Sequence, residues 1–189
     1  MKNNLLNIGI IIGGKSVEHD ISILSGLQVY HAIDKEKYNV TIFYITKKLE
    51  WLVGEDLTKL DTYKNEQFNK CYQVTLFNEA GNIYYQGITK HKKKNLIDVF
   101  IPVVHGEGIE DGTLSGYLEM LGATYTSSDV TSSSIAQDKI YTKQILEQNN
   151  INVVPYITKD EIKHISQIEK EIEEKLKYPL ILKPSRLGY

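Results

Sequence analysis

The pattern of apolar and polar positions divides the chain into alternating strands and helices. Residues 7–12 form a dense, β-branched apolar segment, as expected of a strand that is buried on both faces. A Gly13-Gly14 break follows, and then a helix in which Leu24 and Val29 supply most of the apolar stripe. A second strand is predicted over 38–46. The opening is therefore a β–α–β unit, which indicates a parallel sheet with a right-handed crossover.

The middle of the chain has a different pattern, typical of antiparallel strands. Strands are predicted within 48–53 and 73–86, and the Asn-Glu-Ala-Gly-Asn segment at 78–82 marks the turn of a hairpin. Three further elements complete this first domain: a buried strand over 97–104, a helix over 113–121 and a short strand over 123–125.

The last third of the chain has the pattern of a second, smaller unit. We place the domain boundary near 126–129, where the apolar periodicity changes. The predicted elements are helices over 135–149 and 159–177, an extended segment at 153–155 and a strand over 178–183. Because a unit of this size buries little surface, we expect it to be the beginning of a domain whose remainder is missing.

Composition narrows the class of protein. The 189 residues are 41% hydrophobic and 24% charged with a net charge of −2, which is globular and gives no basic field for nucleic acid or an anionic membrane. The basic run at 90–94 is better explained as a solvated loop. The single cysteine, Cys71, excludes an internal disulfide and a zinc site built on several cysteines. No apolar run is long enough to span a bilayer, so we expect a cytoplasmic protein.

One motif matches a nucleotide-binding loop in letters only. Residues 9–16 satisfy the G-x-x-x-x-G-K-S pattern of a phosphate-binding P-loop. Three of the four residues between the glycines are isoleucines, which resist positive φ and favour burial in a sheet. We therefore place Gly9 inside the first strand and disfavour a P-loop nucleotide hydrolase.

Candidate chemistry follows two of the predicted strands. Glu18 comes shortly after the first strand, and His105 follows the strand over 97–104; each is beside glycines. Ligands of open parallel sheets bind outside the carboxyl ends of the strands, so the two side chains would face one crevice if the strands are neighbours. A carboxylate can hold an ammonium group and an imidazole can meet a carboxylate, which together suit a small zwitterion.

Four segments, in order, resemble the signatures of D-alanine–D-alanine ligases of the ATP-grasp superfamily. Residues 13–22 are similar to GGxSxEHEVS, 105–116 to HGxxGEDGxxQG, 132–139 to the end of SAxxMDK, and 178–188 to YPLxVKPxxxGSS. The sequence departs from these patterns at three positions: Ile109 replaces a glycine, Ser115 a glutamine and Tyr189 a serine.

The resemblance implies an α/β fold with two parts. A Rossmann-like, parallel-sheet pre-ATP-grasp domain would cover 1–126, and an incomplete α+β ATP-grasp subdomain would cover 127–189. It also implies that Glu18 is catalytic and orients the first D-alanine, that Ile21 and His105 bind that substrate, and that Lys139 and Lys183 bind ATP.

The family joins two D-alanines for peptidoglycan through an acyl phosphate, using ATP and Mg²⁺. No metal ligands are recognised in this sequence, so we expect the 189-residue polypeptide by itself to be a truncated form that does not make the dipeptide. D-alanine and ATP are the expected partners, and the resemblance implies a homodimer through the first domain. The alternative is a non-catalytic amino-acid-binding or interaction module that uses the same crevice.

Overall fold

The computed structural model describes residues 5–158, 165–176 and 178–186. Its centre is a seven-stranded mixed sheet in the order β6-β5-β4-β3-β2-β1-β7. The strands are β1 (Leu6–Gly13), β2 (Tyr38–Ile45), β3 (Trp51–Gly54), β4 (Cys71–Glu79), β5 (Asn82–Gly87), β6 (Asn95–Ile97) and β7 (Val99–Pro102). The helices are α1 (His19–Ala32), α2 (Leu60–Lys64), α3 (Thr113–Leu121), α4 (Val130–Gln137), α5 (Lys139–Gln148) and α6 (Ile165–Lys175), with a short 3-10 helix at Glu55–Thr58.

The sheet combines a parallel part with an antiparallel part. β1 is central in the parallel part and pairs with β2 on one side and β7 on the other. The four remaining pairings, from β2 to β6, are all antiparallel. The predicted parallel sheet is therefore confirmed for three strands, and the predicted hairpin forms the antiparallel extension. Its turn lies between Glu79 and Asn82, where Ala80 and Gly81 both have positive φ.

Alternation along β1 supplies both faces of the sheet with core side chains. Ile8, Ile10 and Ile12 belong to the hydrophobic cluster beneath α1, whereas Ile11 belongs to the cluster on the opposite face with Phe100 and other aromatic residues. Residues 10–12 are fully buried. This explains the run of isoleucines, because a strand covered on both faces needs apolar side chains at every position. It also places Gly9 inside β1, as predicted.

The buried face of α1 differs from the predicted one. Ile23 and Leu27 face the core, whereas Leu24 is 44% exposed and Val29 only packs at the edge. The face also contains Gly26, where an added Cβ would lie 2.1 Å from Ile12 Cγ2. Small residues allow α1 to approach β1 closely, and they weaken the apolar periodicity from which the helix face was predicted.

The predicted strand over 97–104 is two strands. Residues 95–97 pair antiparallel with β5, and 99–102 pair parallel with β1. Asp98 separates them and its carboxylate accepts hydrogen bonds from the backbone and side-chain nitrogens of Asn7. The short strand predicted at 123–125 is reduced to one bridge between Phe100 and Tyr125.

The chain after residue 126 also differs from its predicted elements. The helix predicted over 135–149 is broken at Asp138, which ends α4 and caps α5. Residues 178–183 are irregular and exposed instead of forming a strand. Of the helix predicted over 159–177, the described part is α6; residues 159–164 and 177 lie outside the described chain, as does Tyr189. In the described ranges, none of the helices has the length and apolar character needed to cross a membrane.

Candidate active site

Two loops meet where β1 and β7 end. The strands are parallel neighbours, with Ile11 opposite Pro102, so both chains leave the sheet at the same edge. The loop after β1 leads into α1, and the loop after β7 continues to α3. Glu18 lies on the first loop and His105 on the second, so the structure places these two predicted residues at one edge of the sheet.

Glu18 is half-buried, and one of its carboxylate oxygens has no partner among the described residues. Oε2 of Glu18 is fully buried and receives no hydrogen bond. It lies against Gly106, where an added Cβ would be 2.7 Å from this oxygen. Gly106 has a φ of 87°, so it provides both the backbone conformation and the space. A buried carboxylate oxygen without a donor is costly, and it is suited to an ammonium group supplied by a ligand.

Ser16 joins the two loops. Its hydroxyl donates to the carbonyl oxygen of His105, and its oxygen accepts the backbone N–H of Glu18 at 3.2 Å. The sequence predicts Ser16 as the N-cap of α1. The helix begins at His19, with Glu18 in the cap position. Ser16 therefore lies two residues before the cap, and its bonds join the loops that carry the acid and the histidine.

The imidazole of His105 points toward α1. Its Nε2 lies 3.0 Å from the hydroxyl oxygen of Ser25. The same hydroxyl is 2.8 Å from the backbone carbonyl oxygen of Ile21. The side chain of Ile21 is 55% exposed, so its backbone is the part that belongs to this cluster. The structure thus brings together three predicted site residues, Glu18, Ile21 and His105.

The loop after His105 is held by its own carboxylates. Glu110 Oε2 accepts the N–H of Gly106 at 2.8 Å, and Asp111 Oδ2 accepts the N–H of Gly108 at 2.8 Å. Burial raises the pKa of Asp111, but hydrogen bonds from Thr113 and Gly108 outweigh it and leave the pKa below its ordinary value. These bonds define the shape of the loop.

The two departures from the family pattern within this loop region have structural explanations. Ile109 is buried over Gly14, where an added Cβ would lie 2.7 Å from its side chain. It fills the space above that glycine and joins the core cluster that contains Leu114. Ser115 is also buried, and its hydroxyl donates to the carbonyl of Ser128 at 3.1 Å.

Buried polar residues of α1 attach the first loop to the sheet. The hydroxyl of Ser22 accepts the N–H of Gly13 at 2.7 Å and donates to the carbonyl of Val103. The Nδ1 of His19 contacts the carbonyl of Gly14, and its Nε2 lies 3.0 Å from the hydroxyl of Tyr44. Because a carbonyl only accepts, Nδ1 carries the proton and Nε2 accepts from Tyr44. Burial, with smaller contributions from Asp20 and Glu66, raises the pKa of Tyr44 to about 12, so this donor stays protonated.

Lys139 is the first residue of α5, and the segment that follows Lys183 is bonded to the start of this helix. The backbone N–H of Lys139 donates to the carbonyl of Ser185 at 3.0 Å. Beside it, Arg186 Nε donates to Asp138 Oδ2 at 2.8 Å. Burial raises the pKa of Asp138, but bonds from Arg186 and the first turn of α5 more than offset it, and the pKa lies below its ordinary value. Ser185 and Arg186 are therefore attached to the start of α5.

Sequence reasoning did not name three residues of the site. Ser16 was predicted only as an N-cap and as part of segment 13–22, Gly106 only as a glycine beside His105, and Ser25 only as part of the first helix. Ser25 lies one turn after Ile21 on the same helix, but this spacing alone does not mark a site. All three residues are brought to the site by the pairing of β1 with β7, which joins segments about ninety positions apart.

Comparison with known proteins identifies the family. A family model described as the N-terminus of D-Ala–D-Ala ligases matches residues 7–128. The D-alanine–D-alanine ligase of Thermosipho melanesiensis is 39% identical over 188 residues, which cover 97% of this chain and 50% of that protein. The corresponding ligase of Staphylococcus epidermidis is 38% identical over 185 residues, covering 96% and 50%. The chain thus spans about half the length of the curated relatives it matches.

Solved structures agree with this result. The VanG D-Ala:D-Ser ligase of Enterococcus faecalis is 28% identical with a TM-score of 0.75, covering 98% of this chain and 54% of that one. The ATP complex of the D-alanine–D-alanine ligase of Bacillus anthracis is 26% identical with a TM-score of 0.58, covering 96% and 48%. The chain therefore belongs to the D-alanine–D-alanine ligase family, of which it matches the N-terminal portion.

Proposed function

We propose that these residues form the first-substrate side of an ATP-dependent D-alanine–D-alanine ligase that acts in peptidoglycan synthesis in the cytoplasm. The observation that carries this proposal is the buried, unpartnered Oε2 of Glu18 against Gly106. An α-ammonium group placed there would satisfy this oxygen by a charge-assisted hydrogen bond. The family membership supplies D-alanine as the amino acid.

The other members of the cluster suit the rest of a small amino acid. His105 lies across the loop junction from Glu18, and Ser16 bonds to the backbone of both residues. In this arrangement Glu18 holds the ammonium, His105 faces the carboxylate, and the backbone of Ile21 forms one wall. The carboxylate would thereby be held in one orientation for activation, which is the contribution of positioning to catalysis.

ATP, when bound, would supply the phosphoryl group that activates the carboxylate of the first D-alanine. Lys139 and Lys183 are suited to hold its phosphates, because ammonium groups neutralise concentrated negative charge. Their two segments are joined by the bond between Lys139 N–H and the Ser185 carbonyl. We assign no residue of this chain to Mg²⁺. The part of the chain that the structure describes has no group of three or more histidine, cysteine, aspartate or glutamate side chains that could hold a metal.

The test is to titrate the 189-residue polypeptide with D-alanine and to monitor its amide chemical shifts, which detect weak binding. We expect shifts at the β1 and β7 loops for the wild type, and loss of these shifts in Glu18→Gln. Glu107→Gln is the matched control, because Glu107 is an exposed acid on the neighbouring loop. Wild-type binding in Glu18→Gln, or no D-alanine binding by the wild type, would contradict the proposed subsite.

A turnover assay tests whether the 189-residue polypeptide catalyses dipeptide formation by itself. The residues that the family uses for metal binding and oxyanion stabilisation belong to the portion of the relatives that this chain does not match. We therefore expect no D-alanyl-D-alanine from the 189-residue polypeptide with ATP, Mg²⁺ and D-alanine. Dipeptide formation by this polypeptide would show that the proposed division of the site is wrong.

A further inference from the structure

Ser25 contacts two of the residues proposed to surround the first substrate. Its hydroxyl oxygen is 3.0 Å from Nε2 of His105 and 2.8 Å from the carbonyl oxygen of Ile21. We propose that Ser25 is a positioning residue of this subsite: its hydroxyl accepts a hydrogen bond from Nε2–H of His105 and thereby fixes the orientation of the ring. This inference rests on the proposed function, because it takes His105 as a residue of the first-substrate site.

The assignment of the tautomer follows from the single proton of the hydroxyl. A serine in a helix commonly donates its proton to the carbonyl four residues earlier, and here that carbonyl belongs to Ile21 at 2.8 Å. A second carbonyl, that of Ser22, is 3.3 Å away and competes for the same proton. With the proton used toward a carbonyl, the oxygen of Ser25 has only lone pairs for His105. The Nε2 of His105 must then be the donor.

The consequence for the site is a fixed orientation of the imidazole ring of His105. In neutral imidazole one nitrogen donates and the other accepts, so an Nε2–H donor leaves a lone pair on Nδ1. Ser25 therefore fixes both the orientation of the ring and the position of its proton. His105 is held at both ends, since Ser16 binds its backbone carbonyl and Ser25 its ring. Both serines belong to the segment that carries Glu18, so the acid and the imidazole are positioned by one stretch of chain.

The test measures the tautomer directly in the 189-residue polypeptide. Long-range proton–nitrogen correlation spectra distinguish Nε2–H from Nδ1–H, and the His105 signal is identified among the five histidines by its absence in His105→Gln. We expect the wild type to be predominantly Nε2–H. Ser25→Ala should reduce this preference about fivefold, the effect of one neutral hydrogen bond. Ser25→Thr keeps the hydroxyl and should retain the wild-type tautomer.

The control is Gln28→Ala, which changes an exposed residue of the same helix and should leave the His105 spectrum unchanged. D-alanine affinity should fall about fivefold in Ser25→Ala, because the ring of His105 loses its fixed orientation, and should recover in Ser25→Thr. An unchanged tautomer in Ser25→Ala, or a changed tautomer without loss of affinity, would overturn the proposal. If the wild type binds no D-alanine, the proposed function fails, whereas the tautomer spectra still decide whether Ser25 holds the ring. Circular dichroism verifies the fold of each variant.

Discussion

The two clusters of predicted site residues rest on different physical supports. Glu18 and His105 follow strands whose side chains belong to the two hydrophobic clusters, and every buried hydrophobic residue of the described chain precedes Ala123. After that point, Asp138 is the one buried residue in the described ranges, and it is a carboxylate held by polar bonds. The cluster with Glu18 and His105 is therefore positioned by apolar packing, and the Lys139 cluster by caps and an ion pair.

The largest effect is expected from a substitution in the apolar core. Phe100 of β7 is 1% exposed, and Phe100→Ala should lower the free energy of unfolding by about 3–5 kcal/mol, because it leaves a cavity in a close-packed core. Urea unfolding, monitored by the fluorescence of Trp51, measures this loss. The ring centroids of Trp51 and Phe43 are 6.3 Å apart, so Trp51 reports on this core.

The matched control is Ile145→Ala on α5, where the side chain is 40% exposed. It should cost less than about 1 kcal/mol, because the side chain lies at the surface and alanine favours the helix. Similar losses in the two variants would show that both regions depend equally on apolar burial, and the comparison would be wrong.

The next largest effect is expected at the start of α5, which is held by polar bonds. Asp138 accepts from the N–H groups of Ile140 and Tyr141 as the N-cap of α5, and it also binds Arg186. Asp138→Ala should lower the local stability of α5 by about 1–2 kcal/mol, because it removes a cap and a charge partner. Hydrogen exchange at residues 139–148 measures this change.

Asp129→Ala provides the comparison for Asp138→Ala. Asp129 caps α4 through Ser132 and is exposed, so this variant removes a cap without removing an Arg186 contact. We expect Asp129→Ala to affect only α4, while Asp138→Ala also increases exchange at 185–186. The unfolding transition seen by Trp51 should be unchanged in both variants. A shifted Trp51 transition would indicate that the cap supports the sheet as well.

The sequence predicted the elements of the apolar-packed sheet region better than those of the region that is held by polar bonds. The isoleucines of β1 and the Asn-Glu-Ala-Gly-Asn turn are strong local signals, and both elements form where expected. The helix over 135–149 failed because its apolar periodicity continues through Asp138, whereas the backbone there takes an extended conformation that lets the carboxylate cap α5. Cap geometry outweighs periodicity at that residue.

The candidate site was predictable in its ionisable residues but not in the groups that hold them. Glu18 and His105 follow strand ends, and that position is visible in a pattern of apolar runs and glycines. Ser16 and Ser25 act across the gap between two chain segments, and short polar side chains in a helix or loop carry no periodic signal. Only the pairing of β1 with β7 shows that they face His105.

The smallest expected effect distinguishes a functional group from a stabilising one. The buried Oε2 of Glu18 lacks a donor, so the folded protein bears the cost of an unsatisfied charged oxygen at this position. Glu18→Gln removes that charge with little change of shape and should raise the free energy of unfolding by about 1 kcal/mol, even though we expect it to abolish D-alanine binding. Glu107→Gln, at an exposed position, should change neither the free energy of unfolding nor the binding of D-alanine. Urea unfolding without D-alanine measures the stability. A Glu18→Gln variant less stable than the wild type would mean that the carboxylate stabilises the unliganded fold, and its unpartnered oxygen would no longer argue for a ligand.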